Sequence, residues 1–186
     1  MEFTLYYRGQ LAANGSRKEK HDLRLTFSLQ LFELWRHKAD RPDEFFRALP
    51  ELTKDSFSQA VGPLRFAALV NKGQVVELDI TMLRPEAPGS IISKGGDIDN
   101  RIKTLLDALR IPSNADELPT GVSRSDDVIL CLLEDDRLVT RLSVETQQLL
   151  EPGVDATLVV LLIRVHAKNL IDMEPHIAHR GLRGGG

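Results

Sequence analysis

The stretch LRFAALVNKGQVVELDITM, residues 64–82, bears most directly on the fold. Residues 64–70 are almost continuously apolar, and residues 76–82 alternate between apolar and polar side chains. Between these two runs stands NKGQ, residues 71–74, whose composition is typical of a tight turn. Two such runs joined by such a turn predict a β-hairpin.

Further elements are predicted on both sides of this hairpin. Residues 23–38 are ambiguous, because their first half alternates as a strand would and their second half has helical spacing; we interpret them as a helix. Other helices are predicted at 43–49 and 97–110, and other strands at 3–7, 127–133, 138–145 and 156–165. This mixed order indicates an α+β fold, with a mixed β-sheet and helices packed on one face.

Composition and length indicate one globular domain. The chain is 42% hydrophobic and 27% charged, which suits a protein with a real core. We expect a single domain over residues 1–168 and a flexible C-terminal tail over 169–186, which ends in RGLRGGG.

The sequence also bears on the cellular compartment. It has no uninterrupted apolar run of about 18 residues and no basic start followed by an apolar stretch, so neither a membrane span nor a secretory signal is expected. The single cysteine, Cys131, cannot form an internal disulfide and suits a reducing compartment. We therefore expect a cytoplasmic protein.

The net charge of −3 does not by itself favour a nucleic-acid partner. A local basic cluster could still contact DNA phosphates, and the candidates are Arg17, Lys18, Lys20 and Arg24. A solvated surface explains such a cluster equally well, so both interpretations stay open on charge alone.

The segment GGDIDNRIKTLLDALRIP, residues 95–112, holds the first candidate site. Its apolar residues fall at helical intervals and predict one buried stripe, whereas Asp99, Lys103 and Asp107 are spaced four apart and share another face. Asp97 and Asp99 stand at the start of this predicted helix. Acidic residues there could cap free N–H groups, or they could be ligands for a cation.

A second acidic cluster, Glu134-Asp135-Asp136, lies between two predicted strands. Acidic residues in this position can form a plain turn. They can also present carboxylates to a cation, and metal-dependent cleavage of a phosphodiester needs carboxylates that converge from separate elements.

Taken together, these motifs resemble the RusA family of Holliday junction resolvases. The shared order is D-x-D-N-x-x-K at residues 97–103, L-D-A-L at residues 106–109, and an acidic pair that opens a strand, here Asp135-Asp136. The resemblance implies that Asp97, Asp99 and Asp136 bind Mg²⁺ or Mn²⁺ and that Lys103 assists catalysis near the phosphate. It also implies a homodimer that cuts branched DNA symmetrically, with one active site in each subunit.

A second acidic pair could supply the third metal-binding carboxylate. A long polar stretch, residues 113–125, and an extra predicted strand separate the helix from Asp135-Asp136, and they introduce a second pair, Asp126-Asp127. We favour Asp136, because a strand follows it and because neighbours on a strand point to opposite faces, so that Asp135 would face away.

Three functions remain open from the sequence. The first is a metal-dependent, structure-selective endodeoxyribonuclease that acts on branched DNA. The second is a catalytically inactive nucleic-acid-binding or interaction module on the same fold, and the third is a domain whose acidic residues only cap helices and form turns. Convergence of the three carboxylates in one pocket would favour the first.

Overall fold

The computed structural model describes residues 1–38, 58–86, 98–125 and 127–169. The predicted helix at 43–49 and residues 170–186 of the predicted tail lie outside these ranges. The elements in chain order are β1 (Glu2–Gln10), α1 (Arg17–Lys38), β2 (Ser58–Val61), β3 (Leu64–Val70), β4 (Gln74–Arg84), α2 (Ile98–Leu109), β5 (Val128–Leu133), β6 (Val139–Gln148) and β7 (Leu158–Asn169). Short 3₁₀ turns at Ala115–Glu117 and Asp136–Leu138 precede β5 and β6.

The larger sheet has four strands in the order β1-β7-β4-β6. β7 pairs antiparallel with both β1 and β4, whereas β4 and β6 run parallel. The smaller sheet has the order β2-β3-β5, in which β3 pairs antiparallel with β2 and parallel with β5. The described part of the chain is therefore an α+β fold with two helices and two mixed sheets.

This arrangement confirms the predicted α+β class but contradicts the predicted single sheet. The predicted hairpin is wrong: the turn forms, with the Gln74 N–H donating to the Asn71 carbonyl at 2.8 Å, but its two strands belong to different sheets. Both edges of β4 are occupied by β6 and β7, and both edges of β3 are occupied by β2 and β5. The turn therefore carries the chain from one sheet to the other, and the single mixed sheet of the prediction becomes two.

Helix α1 begins earlier than predicted because of a capping box. The Ser16 hydroxyl accepts a hydrogen bond from the Glu19 N–H at 3.2 Å, and the Glu19 carboxylate accepts one from the Ser16 N–H at 2.7 Å. This reciprocal pair satisfies N–H groups that have no partner inside the helix. The S-x-x-E spacing at residues 16–19 is the signal that the periodicity argument missed.

The main core lies between the larger sheet, the smaller sheet and the two helices. Leu78, Ile80 and Met82 alternate along β4 and all face this core. Phe27 on α1 and Leu105 on α2 pack into it from the helices. Neither described helix is long and apolar enough to cross a membrane.

Candidate active site

A pocket of about 530 Å³ opens between α2 and β6. It is lined by α2, by β6 and by the turn that precedes β6, through the residues Ile98, Asp99, Ile102, Lys103, Leu106, Asp107, Asp136, Leu142 and Val144. The structure thus brings three of the four predicted catalytic residues, Asp99, Lys103 and Asp136, to one pocket. The fourth, Asp97, lies outside the described residues.

The helical period of α2 places its polar side chains on one face of the helix. Ile102, Leu105 and Leu109 are buried in the core, and this fixes the rotation of the helix. Asp99, Lys103 and Asp107, each four residues apart, then lie along the pocket side. Asp99 and Lys103 are exposed to solvent, so both can be reached by a ligand.

The two neighbouring aspartates before β6 have different surroundings. The Asp135 carboxylate accepts a hydrogen bond from the Arg137 N–H at 2.9 Å and contacts the Arg137 guanidinium at 3.3 Å. That backbone hydrogen bond is the main cause that lowers the pKa of Asp135. Asp135 thereby caps the short turn, whereas Asp136 is exposed and lines the pocket.

The predicted reason for the different orientations of Asp135 and Asp136 is wrong. We expected strand alternation to separate the two side chains, but both residues precede β6, and the 3₁₀ turn separates them instead.

The rival carboxylate Asp127 is remote from this pocket. Asp127 precedes the first residue of β5, and Asp136 follows its far end. Six residues at about 3.3 Å each make this strand roughly 20 Å long. Asp127 is exposed and its backbone N–H bonds to the Ser125 hydroxyl at 3.1 Å. Its neighbour Asp126 lies outside the described residues.

Asp107 is a pocket residue that the sequence argument did not select. Its Oδ2 accepts from the Lys20 ammonium at 2.7 Å, and its Oδ1 contacts the Arg110 guanidinium at 3.2 Å. Burial opposes the charge on Arg110, but hydrogen bonding to Glu117 and the negative charges of Glu117, Asp107 and Asp136 raise its pKa overall. The four-residue spacing from Lys103 was the signal for Asp107. Nothing in the local sequence indicated Lys20 as its partner.

The four predicted DNA-contacting residues differ in their exposure to solvent. Arg17 and Lys18 are exposed in the first turn of α1, and Lys18 pairs with Asp22 at 2.6 Å. Lys20 is half-buried against Asp107, and this places it beside the pocket.

The prediction that Arg24 contacts DNA is wrong. Arg24 is 1% exposed. Its guanidinium donates to the backbone carbonyls of Asp107 and Arg110, at 2.7 and 3.2 Å, and lies 6.0 Å from the centre of the Phe66 ring. It ties α1 to the end of α2 and is out of reach of a phosphate.

The donor set of the pocket suits a small hard cation. Asp99 and Asp136 offer carboxylate oxygens next to solvent, and Mg²⁺ is often held by one or two carboxylates while keeping several waters. Within residues 1–38, 58–86, 98–125 and 127–169, no group of three or more His, Cys, Asp or Glu side chains could hold a metal ion. Among the described residues, the pocket therefore offers the exposed carboxylates of Asp99 and Asp136 as candidate cation ligands.

Comparison of the chain with protein-family models, with curated proteins and with solved structures finds no match. The sequence motifs and the residues of the pocket are therefore the observations that bear on function.

Proposed function

We propose that this protein is a metal-dependent, structure-selective endodeoxyribonuclease that cleaves branched DNA, in the manner of the RusA-type resolvases that its motifs resemble. One observation carries the proposal. Asp99 and Lys103 on α2 and Asp136 before β6, which are far apart in the chain, line one open pocket. A cation site needs carboxylates that converge from separate elements in this way.

Asp99 and Asp136, together with Asp97, would hold Mg²⁺ or Mn²⁺. When bound, the ion would supply Lewis-acid polarisation of the phosphate and lower the pKa of an attacking water. Both carboxylates reach the pocket from solvent-exposed positions, which leaves room for a phosphate to enter beside them.

Lys103 is placed to bind the substrate phosphate. It lies on the same helix face as Asp99, one turn further along, and its ammonium can donate hydrogen bonds to a non-bridging oxygen. Such a donor stabilises the negative charge that develops as the bond to the leaving oxygen breaks. On the opposite wall, Leu142 and Val144 offer an apolar surface against which a deoxyribose can lie.

The DNA would approach along the start of α1. Arg17 and Lys18 are exposed there, and the Lys20–Asp107 pair connects this stretch to the pocket. Contacts from Lys and Arg to phosphates would position the duplex arms without reading sequence. Such a protein would act in DNA recombination or repair, as a homodimer that makes paired incisions.

A gel-based cleavage assay tests the proposal. The substrates are a four-way junction and a linear duplex, each with Mg²⁺, Mn²⁺ or EDTA. We expect cleavage of the junction that depends on the metal, and we expect Asp99→Asn and Asp136→Asn to abolish it while junction binding is kept. Asparagine preserves the shape but removes the charge that holds the cation, and it also removes repulsion from the phosphates.

Asp127→Asn is the matched control, since Asp127 is an exposed aspartate outside the pocket. It should cleave as the wild type does. If the wild-type protein binds the junction but cuts neither substrate with either metal, the protein is a binding module and the proposed activity is wrong.

A further inference from the structure

Strand β6 is an edge of the larger sheet. It pairs with β4 along one side, and no strand in the described part of the chain pairs with its other side. None of its ten residues is buried. An exposed edge of this length presents backbone N–H and C=O groups that can accept another strand.

The sequence of β6 is complementary to itself in the antiparallel sense. It reads VTRLSVETQ over residues 139–147, and Ser143 lies at the centre. If two copies pair about Ser143, Arg141 stands opposite Glu145, Leu142 opposite Val144, and Thr140 opposite Thr146. Opposite charges, apolar pairs and Thr–Thr pairs are the cross-strand contacts that stabilise antiparallel strands.

The two faces of the strand agree with this register. Leu142 and Val144 line the pocket, so they lie on the α2 side of the sheet. Arg141 lies on the other side, where it contacts Glu77 at 3.2 Å and Asp79 at 2.9 Å, and alternation puts Glu145 on that same side. Residues directly opposite in an antiparallel pair share a face. The Leu142–Val144 pairs would therefore lie on the α2 side of the sheet, and the Arg141–Glu145 pairs would lie on the other side.

We propose that β6 pairs antiparallel with β6 of a second copy of this chain, about a two-fold axis at Ser143. The dimer would contain one continuous sheet made from the four strands of each copy. Such an interface is isologous, since both copies contribute the same strand. A neighbouring register centred on Val144 is less favourable, because it places Arg141 opposite Gln147 and Leu142 opposite Thr146.

This pairing has a consequence for the pockets. The two-fold axis is perpendicular to the sheet, so both pockets open on the same side of it. Leu142 and Val144 belong to the pocket wall and to the pairing strand at once. Each pocket would therefore be bordered by the partner strand, and the two sites would flank the axis at a fixed spacing. The pairing itself does not depend on the proposed nuclease activity.

Cysteine cross-linking of the full-length protein tests the register. Ser143→Cys would meet its own copy across the axis, where opposite Cα atoms in antiparallel strands are about 4.5 to 5.5 Å apart, within the range of a disulfide. We expect nearly complete dimer on non-reducing gels after mild oxidation. The native Cys131 should not interfere, since burial raises the pKa of its thiol to about 12.

Thr4→Cys is the matched control. Thr4 is an exposed residue on β1, at the opposite edge of the same sheet, and it should not cross-link. If Ser143→Cys cross-links no better than Thr4→Cys, the proposed interface is wrong.

Sedimentation equilibrium from low micromolar to near-millimolar concentration gives a second, independent measurement. Glu145→Arg would place two arginines opposite each other twice, and we expect it to raise the dimer dissociation constant at least about tenfold. Glu2→Arg, an exposed glutamate on β1, should leave the constant unchanged. A wild-type protein that stays monomeric over the whole range, or a Glu145→Arg variant that dimerises as the wild type does, overturns the proposal. A monomeric wild type would also contradict paired incision by a homodimer, whereas a Glu145→Arg variant that still dimerises would contradict only the β6 interface. The cleavage assay tests metal-dependent cleavage separately from both results.

Discussion

Asp107 shows how one side chain can both line a pocket and hold it together. Each of its carboxylate oxygens is engaged by a cation, Lys20 from α1 and Arg110 from the end of α2. A carboxylate with both oxygens occupied in this way is a poor candidate for a metal ligand. We therefore assign Asp107 a positioning role, which keeps Lys20 beside the pocket.

The first residue-scale prediction concerns the Asp107 cluster. Asp107→Asn leaves Lys20 partly buried without its carboxylate partner and leaves Arg110 with Glu117 alone. It should lower the free energy of unfolding by about 2 kcal/mol. Urea denaturation followed by circular dichroism measures this change. Asp22→Asn, which removes the partner of the exposed Lys18, should change it by no more than about 0.5 kcal/mol. Equal effects of the two substitutions would contradict the assigned role.

The second residue-scale prediction concerns pH. Burial is the main cause that lowers the pKa of His21 below its ordinary value of 6.5, and the positive charge of Arg24 adds to it. The unfolded chain therefore binds a proton on His21 more readily than the folded chain does. Stability should fall as the pH drops below about 6.5 and level off below the folded-state pKa.

His21→Gln isolates this contribution. The loss of unfolding free energy between about pH 7 and pH 5 should be smaller in the variant than in the wild type. Identical pH profiles would show that His21 makes no such contribution.

At the scale of elements, the contact between α1 and β5 rests partly on one buried hydrogen bond. The Ser28 hydroxyl accepts from the Leu130 N–H at 2.9 Å, and Ser28 is buried. Ser28→Ala should leave that N–H without a partner and cost about 1 to 3 kcal/mol of unfolding free energy. Thr26→Ala, which removes an exposed hydroxyl bonded to the Asp22 carbonyl, should cost less than about 0.5 kcal/mol. Thermal unfolding of the wild type and both variants measures these two losses of unfolding free energy.

The elements also show what sequence patterns can and cannot predict. Apolar periodicity located α2 and the strands β4, β5 and β7 to within a few residues, because side-chain period depends on local geometry. The start of α1 was missed because the capping box was not considered. Strand partners were not predictable from the turn at residues 71–74, since the neighbours of β3 and β4 come from distant parts of the chain.

At the scale of the whole molecule, the fold brings the two acidic motifs together. The polar residues of α2 could be assigned to one face from their spacing alone. The meeting of α2 with the turn before β6 could not, because it depends on β6 pairing in parallel with β4. The burial of Arg24 could not be predicted either. Its neighbours in the sequence give no sign that backbone carbonyls at the end of another helix accept its hydrogen bonds.

Metal binding in the absence of DNA tests the central claim most directly, namely that Asp99 and Asp136 hold one cation between them. Isothermal titration of the full-length protein with Mn²⁺ should show a bound ion. Asp99→Asn and Asp136→Asn should each weaken it at least about tenfold, since each removes a charged oxygen ligand. Asp127→Asn should bind as the wild type does. If Asp136→Asn binds Mn²⁺ as tightly as the wild type, or if Asp127→Asn is the variant that loses it, the proposed site is wrong.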